Sequence, residues 1–166
     1  MKIYLAGPDV FRPDVAVWAV SARELCHRYG FEPLLPIDHH ETRPERIVQA
    51  NLELIRKAQV VAANLNPFRG AEPDSGTAFE LGYALALGKK LCGYVSRLDT
   101  VSQRVRHHGM HGAGERSGVE QPLDRDGFHI EDFGLPCNVM LAMSARIVEG
   151  DLEACLKAIR PRANGV

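Results

Sequence analysis

The sequence predicts an α/β fold, a doubly wound, flavodoxin-like or Rossmann-like three-layer sandwich with a parallel sheet of about five strands. Short and almost wholly apolar runs alternate along the chain with longer segments of helical periodicity. Consecutive apolar residues indicate strands that are buried on both faces, as in parallel sheets. Strands that alternate with helices form βαβ units, and their right-handed crossovers place helices on both sides of the sheet.

The first half of the chain contains three predicted strands and two predicted helices. Residues 2–6, "KIYLA", form a short apolar run that ends at a Gly-Pro pair, so we expect the first strand there. Residues 14–29 have helical spacing, and Gly30 is a natural stop for that helix. The remaining elements of this half are a strand at 31–36, a helix at 44–57 and a strand at 59–65.

The second half continues the alternation but contains one irregular region. Residues 75–87 are predicted as a helix that ends at Gly88, and the later elements are strands at 90–95 and 145–148 and a helix at 151–160. The region at about 96–137 is rich in glycine and charge, with a short helix expected at 99–107. Irregular segments of this length are usually functional or mobile. We therefore predict a single domain over residues 1–166.

Composition and charge exclude several classes of protein. The 166-residue chain has a net charge of −1, so neither nucleic acid nor an anionic membrane is expected as its main partner. No apolar run is long enough to span a bilayer, and the N-terminal "MKIYLAGP" is typical of a strand rather than a signal peptide. The four cysteines form no C-x-x-C pair, which is typical of reduced thiols in a cytoplasmic protein. The glycine motifs of dinucleotide and triphosphate sites are absent from the sequence, so no cofactor is expected.

Two carboxylates lie near the start of the helix predicted at 75–87. Asp74 precedes the helix and suits an N-cap role, and Glu80 lies between Phe79 and Leu81. Helical side chains tilt toward the N-terminus, so Glu80 is expected over Gly76, which leaves a gap for a small molecule. We expect the helix dipole to keep Glu80 ionised and able to act as a nucleophile. On the pattern alone, an Asp74 cap with a partly exposed Glu80 is an equally good interpretation.

Three segments of the sequence resemble the nucleoside 2-deoxyribosyltransferase family. They are "IYLAGPDVF" (3–11), "NLNPFRGAEPDSGTAFELGYALALGK" (64–89) and "FGLPCNVML" (133–141), and they occur in the family's order. The resemblance implies a nucleotide-salvage enzyme that exchanges bases on 2′-deoxynucleosides, with slow hydrolysis as a side reaction. In that family a glutamate attacks the anomeric carbon and the base leaves, and then a second base attacks the covalent deoxyribosyl-enzyme. Two inversions give net retention.

The resemblance also implies roles for individual residues. Glu80 matches the nucleophile, Asp74 matches an aspartate that binds sugar hydroxyls, and Tyr4 matches a tyrosine that orients the glutamate. Asn138 matches an asparagine that reaches into a neighbouring subunit's site and holds the 5′ end of the sugar. The protein is therefore implied to be a homo-oligomer, at least a dimer and commonly a hexamer in this family. On pattern alone, Tyr4 also suits a buried strand aromatic, and Asn138 a helix N-cap.

Three further residues are expected near the substrate. Some family members carry an acid on the second helix that helps to protonate the leaving base, but the nearest position here is Asn51, whose amide has no titrating proton. Asp9 is expected to contact the base, with a local turn bond as the alternative. Phe11 is expected to pack against the sugar and to crowd the 2′ position, which would favour deoxyribose, with a place in the core as the alternative.

Two other functions stay open on the sequence. One is an N-glycosidase of 2′-deoxynucleoside 5′-monophosphates, which the two aspartates and single arginine (Arg12) of "GPDVFRPD" disfavour. The other is a catalytically silent nucleoside-sensing module, which has no need of a nucleophile. The base preference, for purines alone or for purines and pyrimidines, is not decided.

The segment "HHGMHG" (107–112) offers three histidines in a glycine-rich loop without cysteine partners, so no metal is expected. Arg104 and Arg106 beside it suit a solvated loop better than a phosphate site.

Overall fold

The protein forms one parallel sheet with helices on both faces. The computed structural model describes residues 1–110 and 122–160. Its strands are β1 (Lys2–Ala6), β2 (Glu32–Leu34), β3 (Val60–Asn64), β4 (Lys90–Val95) and β5 (Arg146–Glu149). They lie in the order β2-β1-β3-β4-β5, and every pair is parallel. This is the flavodoxin-like order, so the predicted fold class is confirmed.

Six α-helices and two turns of 3-10 helix connect the strands in the described residues. The α-helices are α1 (Val15–Arg28), α2 (Pro44–Lys57), α3 (Ser75–Ala86), α4 (Val101–His107), α5 (Val139–Ala142) and α6 (Leu152–Ile159). The 3-10 helices are Pro8–Phe11, directly after β1, and Pro36–His39, directly after β2. Both therefore lie at the carboxyl edge of the sheet, where ligands bind in folds of this kind.

Two hydrophobic clusters fill the space above and below the sheet. One packs α1 and α6 against one face of the strands and contains Ile3, Leu5 and Cys26. The other packs α2, α3 and α5 against the opposite face and contains Tyr4 and Leu81. Because successive side chains of β1 point to opposite faces, Tyr4 points toward the helices that carry the candidate site. The three-layer sandwich is thus built from strands with two apolar faces, as predicted.

The element boundaries differ from the predictions by at most two residues, and one helix is additional. The second strand stops at Leu34 because Pro36 starts a 3-10 helix. The helix α5 was predicted only as an alternative role for Asn138, which does cap it. In the described part of the irregular region, the regular secondary structure consists of α4 and a short bridge between Leu123 and His129.

Buried cysteines and a buried arginine complete the description of the interior. All four cysteines are buried and carry free thiols. Arg104 is only 3% exposed, and it donates from Nη1 to the carbonyl of Leu65 at 3.1 Å. The expectation of a solvated Arg104 is therefore wrong, since its side chain ties α4 to the end of β3.

None of the described helices is both long and apolar enough to cross a membrane.

Candidate active site

Glu80 lies partly buried on α3, with its carboxylate facing β1 and α2. The hydroxyl of Tyr4 donates to Oε1 of Glu80 at 2.5 Å. The side-chain amide of Asn51 donates to the same oxygen at 3.4 Å. Within the described residues, no donor reaches Oε2, so one carboxylate oxygen is held and the other is available. This is the geometry of an oriented nucleophile.

The pKa of Glu80 depends on its burial and on two neighbouring side chains. The pKa of Glu80 is raised from 4.5 to about 7, chiefly by burial and further by the nearby Asp74 carboxylate, while the hydrogen bond from Tyr4 lowers it. The loss of water around the carboxylate thus outweighs the hydrogen bond from Tyr4. The pKa of Glu80 therefore lies close to neutral pH, and its ionisation by the helix dipole stays a prediction. Burial also raises the pKa of Tyr4, so its hydroxyl stays protonated and able to donate.

Asp74 caps α3, as the sequence predicts. Its Oδ2 accepts from the backbone N–H of Thr77 at 2.9 Å and from the Thr77 hydroxyl at 3.0 Å. A Cβ at Gly76 would lie 3.1 Å from this Oδ2, so glycine leaves room for the cap. The cap occupies only one of the two carboxylate oxygens. Oδ1 of Asp74 therefore remains available for a ligand.

A cavity of about 560 Å³ opens beside these residues. Its volume suits a small organic ligand. One wall is the start of α3, with Glu80, Asp74, Gly76 and Thr77. The remaining walls come from the loops after β1 and β2 and from α2, and they consist of Gly7, Val10, Phe11, Pro36, Ile37, His39, His40, Glu41, Thr42, Ile47 and Asn51. The cavity thus lies at the carboxyl edge of the sheet, near the point where the strand order reverses between β1 and β3.

The loop after β1 is held close to β3. Gly7 has φ 154°, and a Cβ there would lie 2.7 Å from Cβ of Asn64, so a larger residue does not fit. Asp9 accepts a 2.8 Å hydrogen bond from the Asn64 amide and does not line the cavity. Its carboxylate therefore fixes the loop across the sheet edge. The expected contact between Asp9 and the base stays a prediction.

Phe11 is an exposed aromatic residue at the cavity mouth. It is 57% exposed, so its alternative place in the core is wrong. Its ring stacks on Phe68 with centroids 5.6 Å apart and an interplanar angle of 12°. The Arg69 guanidinium lies over both rings, 5.1 Å from the Phe11 centroid and 4.6 Å from that of Phe68. The stack holds Phe11 at the mouth, where it can contact a ligand in the cavity.

His39 was not among the residues selected from the sequence, and Asn51, which was selected, lines the cavity and links His39 to Glu80. Oδ1 of Asn51 lies 2.9 Å from Nε2 of His39, while its amide nitrogen faces Glu80. Asn51 therefore bonds the candidate nucleophile. The available signal for His39 was its place just after the second strand, at the edge where ligands bind.

Asn138 is not part of the cavity that contains Glu80. Its Oδ1 accepts from the N–H of Met140 at 3.0 Å, which caps α5, and its Nδ2 donates to Glu131 at 2.7 Å. It lines a separate cavity of about 520 Å³, which shares Asp74 but not Glu80. The expected role of Asn138 in a neighbouring subunit's site stays a prediction.

The described residues contain no group of three or more His, Cys, Asp or Glu side chains arranged to hold a metal ion. In the segment "HHGMHG", His107 lies 3.6 Å from Asp99, and His111 is outside the described residues.

Comparison with known proteins identifies the family. The family model described as nucleoside 2-deoxyribosyltransferase matches residues 3–140, which is most of the chain. The chain belongs to the nucleoside 2-deoxyribosyltransferase family. The expectation of an enzyme of this family is thereby confirmed.

Individual deoxyribosyltransferase-like proteins support this assignment. The solved structure of a 2-desoxiribosyltransferase from Leishmania mexicana has 35% sequence identity and a TM-score of 0.79, and the match covers 98% of each chain. A 2-deoxyribosyltransferase of Bacillus psychrosaccharolyticus shares the fold at 23% identity and a TM-score of 0.50, over 60% of this chain and 76% of that one. An uncharacterised protein of Schizosaccharomyces pombe is 30% identical over 155 residues, 83% of this chain and 74% of its own. Family and structural likeness together support nucleoside deoxyribosyltransferase activity.

Proposed function

We propose that the protein transfers 2-deoxyribose between nucleobases through a covalent deoxyribosyl ester on Glu80. The observation that carries the proposal is the Glu80 carboxylate itself, with Oε1 held by Tyr4 and Oε2 without a donor beside a ligand-sized cavity. An attacking oxygen must keep a free lone pair in a fixed direction. The arrangement on Glu80 supplies that lone pair.

The reaction balances in two displacements. Oε2 of Glu80 attacks C1′ of a 2′-deoxynucleoside, the C1′–N bond breaks, and the base leaves with the bonding electrons and takes up a proton. A nitrogen of the second base then attacks C1′ and loses a proton, and the bond between C1′ and the Glu80 oxygen breaks. The carboxylate is regenerated, and two inversions retain the configuration. Water in place of the second base gives the slow hydrolytic side reaction.

Asp74 and Phe11 have roles in substrate binding in this proposal. Oδ1 of Asp74, which its helix cap leaves free, binds a sugar hydroxyl. The exposed Phe11 ring, held by its stack with Phe68, packs against the sugar and limits the space for a 2′-hydroxyl. Gly76 keeps the floor between Asp74 and Glu80 open for the sugar.

A second subunit completes the site in this proposal. Asn138 binds the 5′ end of the sugar in a neighbour's site, so the active form is at least a dimer. Exposed apolar side chains on α3 and around α5 support such an association, since Phe79 is 60% exposed and Met140 and Met143 are each 73% exposed. Surfaces of this composition are typical of protein interfaces.

The alternative with a nucleotide substrate has less support from the site. The side chain of Arg12, in the loop after β1, forms two 3.0 Å hydrogen bonds with the Asp14 carboxylate. The single cation of that loop is therefore already paired, which leaves a 5′-phosphate without a counter-charge there. The free nucleoside is the better match.

An exchange assay tests the proposal. The protein is incubated with deoxyinosine with and without adenine, and the products are separated by chromatography. We expect deoxyadenosine and hypoxanthine when both are present. Hypoxanthine release that is insensitive to adenine would indicate a hydrolase. Release from deoxyinosine 5′-monophosphate alone would indicate the nucleotide N-glycosidase, and binding without turnover would indicate a sensor.

A further inference from the structure

A chain of three hydrogen bonds runs from the backbone after β2 to the candidate nucleophile. The N–H of Glu41 donates to Nδ1 of His39 at 3.1 Å. Nε2 of His39 lies 2.9 Å from Oδ1 of Asn51, and Nδ2 of Asn51 donates to Oε1 of Glu80 at 3.4 Å. Because Nδ1 accepts, the network assigns the ring proton to Nε2, which donates to Asn51. The acceptor side of the Asn51 amide is thereby occupied, and its donor side faces Glu80.

The protein holds His39 in place from two sides. On one side, Asp38 accepts a 2.8 Å hydrogen bond from the N–H of Leu35 and pairs with Arg23 of α1, which fixes the 3-10 helix that ends at His39. On the other side, His40 has a left-handed backbone with φ 52°. A non-glycine residue rarely adopts that conformation, because its Cβ crowds the following carbonyl oxygen. This turn lets the N–H of Glu41 reach back to the His39 ring.

The titratable groups around Glu80 come from three elements. Tyr4 approaches from β1, and Asp74 from the start of α3. The segment after β2 contributes His39, His40 and Glu41, all of which line the cavity. The helix α2 contributes Asn51, which does not titrate. His39 therefore influences Glu80 through the Asn51 amide.

We propose that His39 is a positioning residue that locks the Asn51 amide with its N–H group toward Glu80. The inference rests on the proposed function, in which Glu80 must be ionised to attack. A free amide has two orientations related by a flip. With its N–H toward Glu80 it stabilises the carboxylate, and with its C=O toward Glu80 it accepts from the protonated acid instead. Fixing the first orientation favours the reactive, ionised form.

Two substitutions separate the functions of the two ring nitrogens. His39→Asn places an amide near the Nδ1 position, which keeps a partner for Glu41 but removes the donor to Asn51. His39→Gln places its amide near the Nε2 position and keeps that donor. Both replacements are polar and suit a partly exposed site. His27→Asn is the matched control, since His27 is exposed on α1 and does not line the cavity.

The first measurement is the titration of Glu80 itself, by the ¹³C shift of its carboxyl carbon in protein labelled with ¹³C-glutamate. The Glu80→Gln variant assigns the signal. We expect His39→Asn to raise the pKa of Glu80 by about one unit, as the loss of one charge-assisted hydrogen bond predicts. His39→Gln and His27→Asn leave the titration unchanged. An unmoved titration in His39→Asn would overturn the inference.

The second measurement is kcat/KM for transfer from deoxyinosine to adenine as a function of pH. We expect His39→Asn to reduce kcat/KM about tenfold at pH below 7, with recovery at high pH, because the acid limb moves upward by about one unit. A loss that is equal at every pH would contradict the positioning role. If the wild-type protein shows no transfer, the proposed function is refuted but the His39 inference is not. The ¹³C titration tests that inference without any need for turnover.

Discussion

The hydroxyl of Tyr4 donates a 2.5 Å hydrogen bond to Oε1 of Glu80, which joins the first strand to the helix α3. The two residues are 76 positions apart in the chain. They meet because Tyr4 points from β1 toward the face that α2 and α3 cover. The bond fixes the carboxylate at the edge of the cavity, and every chemical role that we propose depends on that position.

Removal of the Tyr4 hydroxyl should slow transfer without unfolding the protein. We expect Tyr4→Phe to lower kcat/KM about 10- to 100-fold, because a hydrogen bond to a charged group is worth about 1.5–3 kcal/mol. The acid limb of the pH profile should also move upward, since the bond lowers the pKa of Glu80. Tyr29→Phe is the control, because it removes a 2.6 Å tyrosine–glutamate bond to Glu153 that is remote from the cavity. Equal losses in the two variants would argue against the specific role of Tyr4.

The raised pKa of Glu80 predicts a pH-dependent stability. Because the pKa is about 7 in the folded protein and 4.5 ordinarily, the folded state binds a proton more tightly than the unfolded state. Protonation of Glu80 therefore stabilises the folded state by at most about 3 kcal/mol. This stabilisation is complete below pH 4.5 and is lost as pH rises through about 7. Because glutamine does not titrate, we expect the free energy of unfolding of Glu80→Gln not to show this decrease. The difference in free energy of unfolding between Glu80→Gln and the wild type should therefore shift in favour of the variant between pH 5 and 8. Urea denaturation measures it, with the exposed Glu53→Gln as the control.

Substitutions of Asp74 should separate capping from substrate binding. Asp74→Asn keeps an oxygen acceptor for Thr77, so we expect a stability within about 0.5 kcal/mol of the wild type, whereas Asp74→Ala should cost about 1 kcal/mol. Both variants should lose transfer activity about tenfold or more, because both lack the charged oxygen that binds the sugar. Asp151→Asn changes a comparable cap, on α6, and should leave the kinetics unchanged. Full activity in Asp74→Asn would limit Asp74 to the capping role.

Mixed oligomers test whether sites are shared between subunits. Glu80→Gln and Asn138→Ala should each be nearly inactive alone. When the two proteins are mixed and allowed to exchange subunits, an Asn138→Ala chain provides an intact Glu80 and its partner provides an intact Asn138. We expect transfer activity to reappear in the mixture. Activity that stays at the level of the separate proteins would restrict Asn138 to its helix cap.

The sheet was predictable because its strands are apolar at nearly every position and helical segments separate them. The cap by Asp74 was predictable as well, since it is a local interaction over three residues. The meeting of Tyr4 and Glu80 was expected only through the family resemblance. Local pattern does not report which strand residue faces which helix residue across the sheet.

The sequence did not reveal two properties of the site. The first is the raised pKa of Glu80, because burial, its main cause, is a property of the whole surrounding structure. The second is the chain from His39 through Asn51 to Glu80, which joins three separate elements. The helix α5 was hard to predict for another reason, since four residues are too few for a periodic signal.

Trapping the covalent intermediate is the decisive experiment for Glu80 as the nucleophile. The protein is mixed with deoxyinosine without an acceptor base and quenched in acid, and its intact mass is compared with that of Glu80→Gln treated in the same way. We expect a mass increase of one deoxyribosyl group in the wild type, located on Glu80 by peptide mapping and discharged by adenine as deoxyadenosine. Glu80→Gln should show no increase. Base exchange at full rate in Glu80→Gln, or an adduct on another residue, would contradict the account.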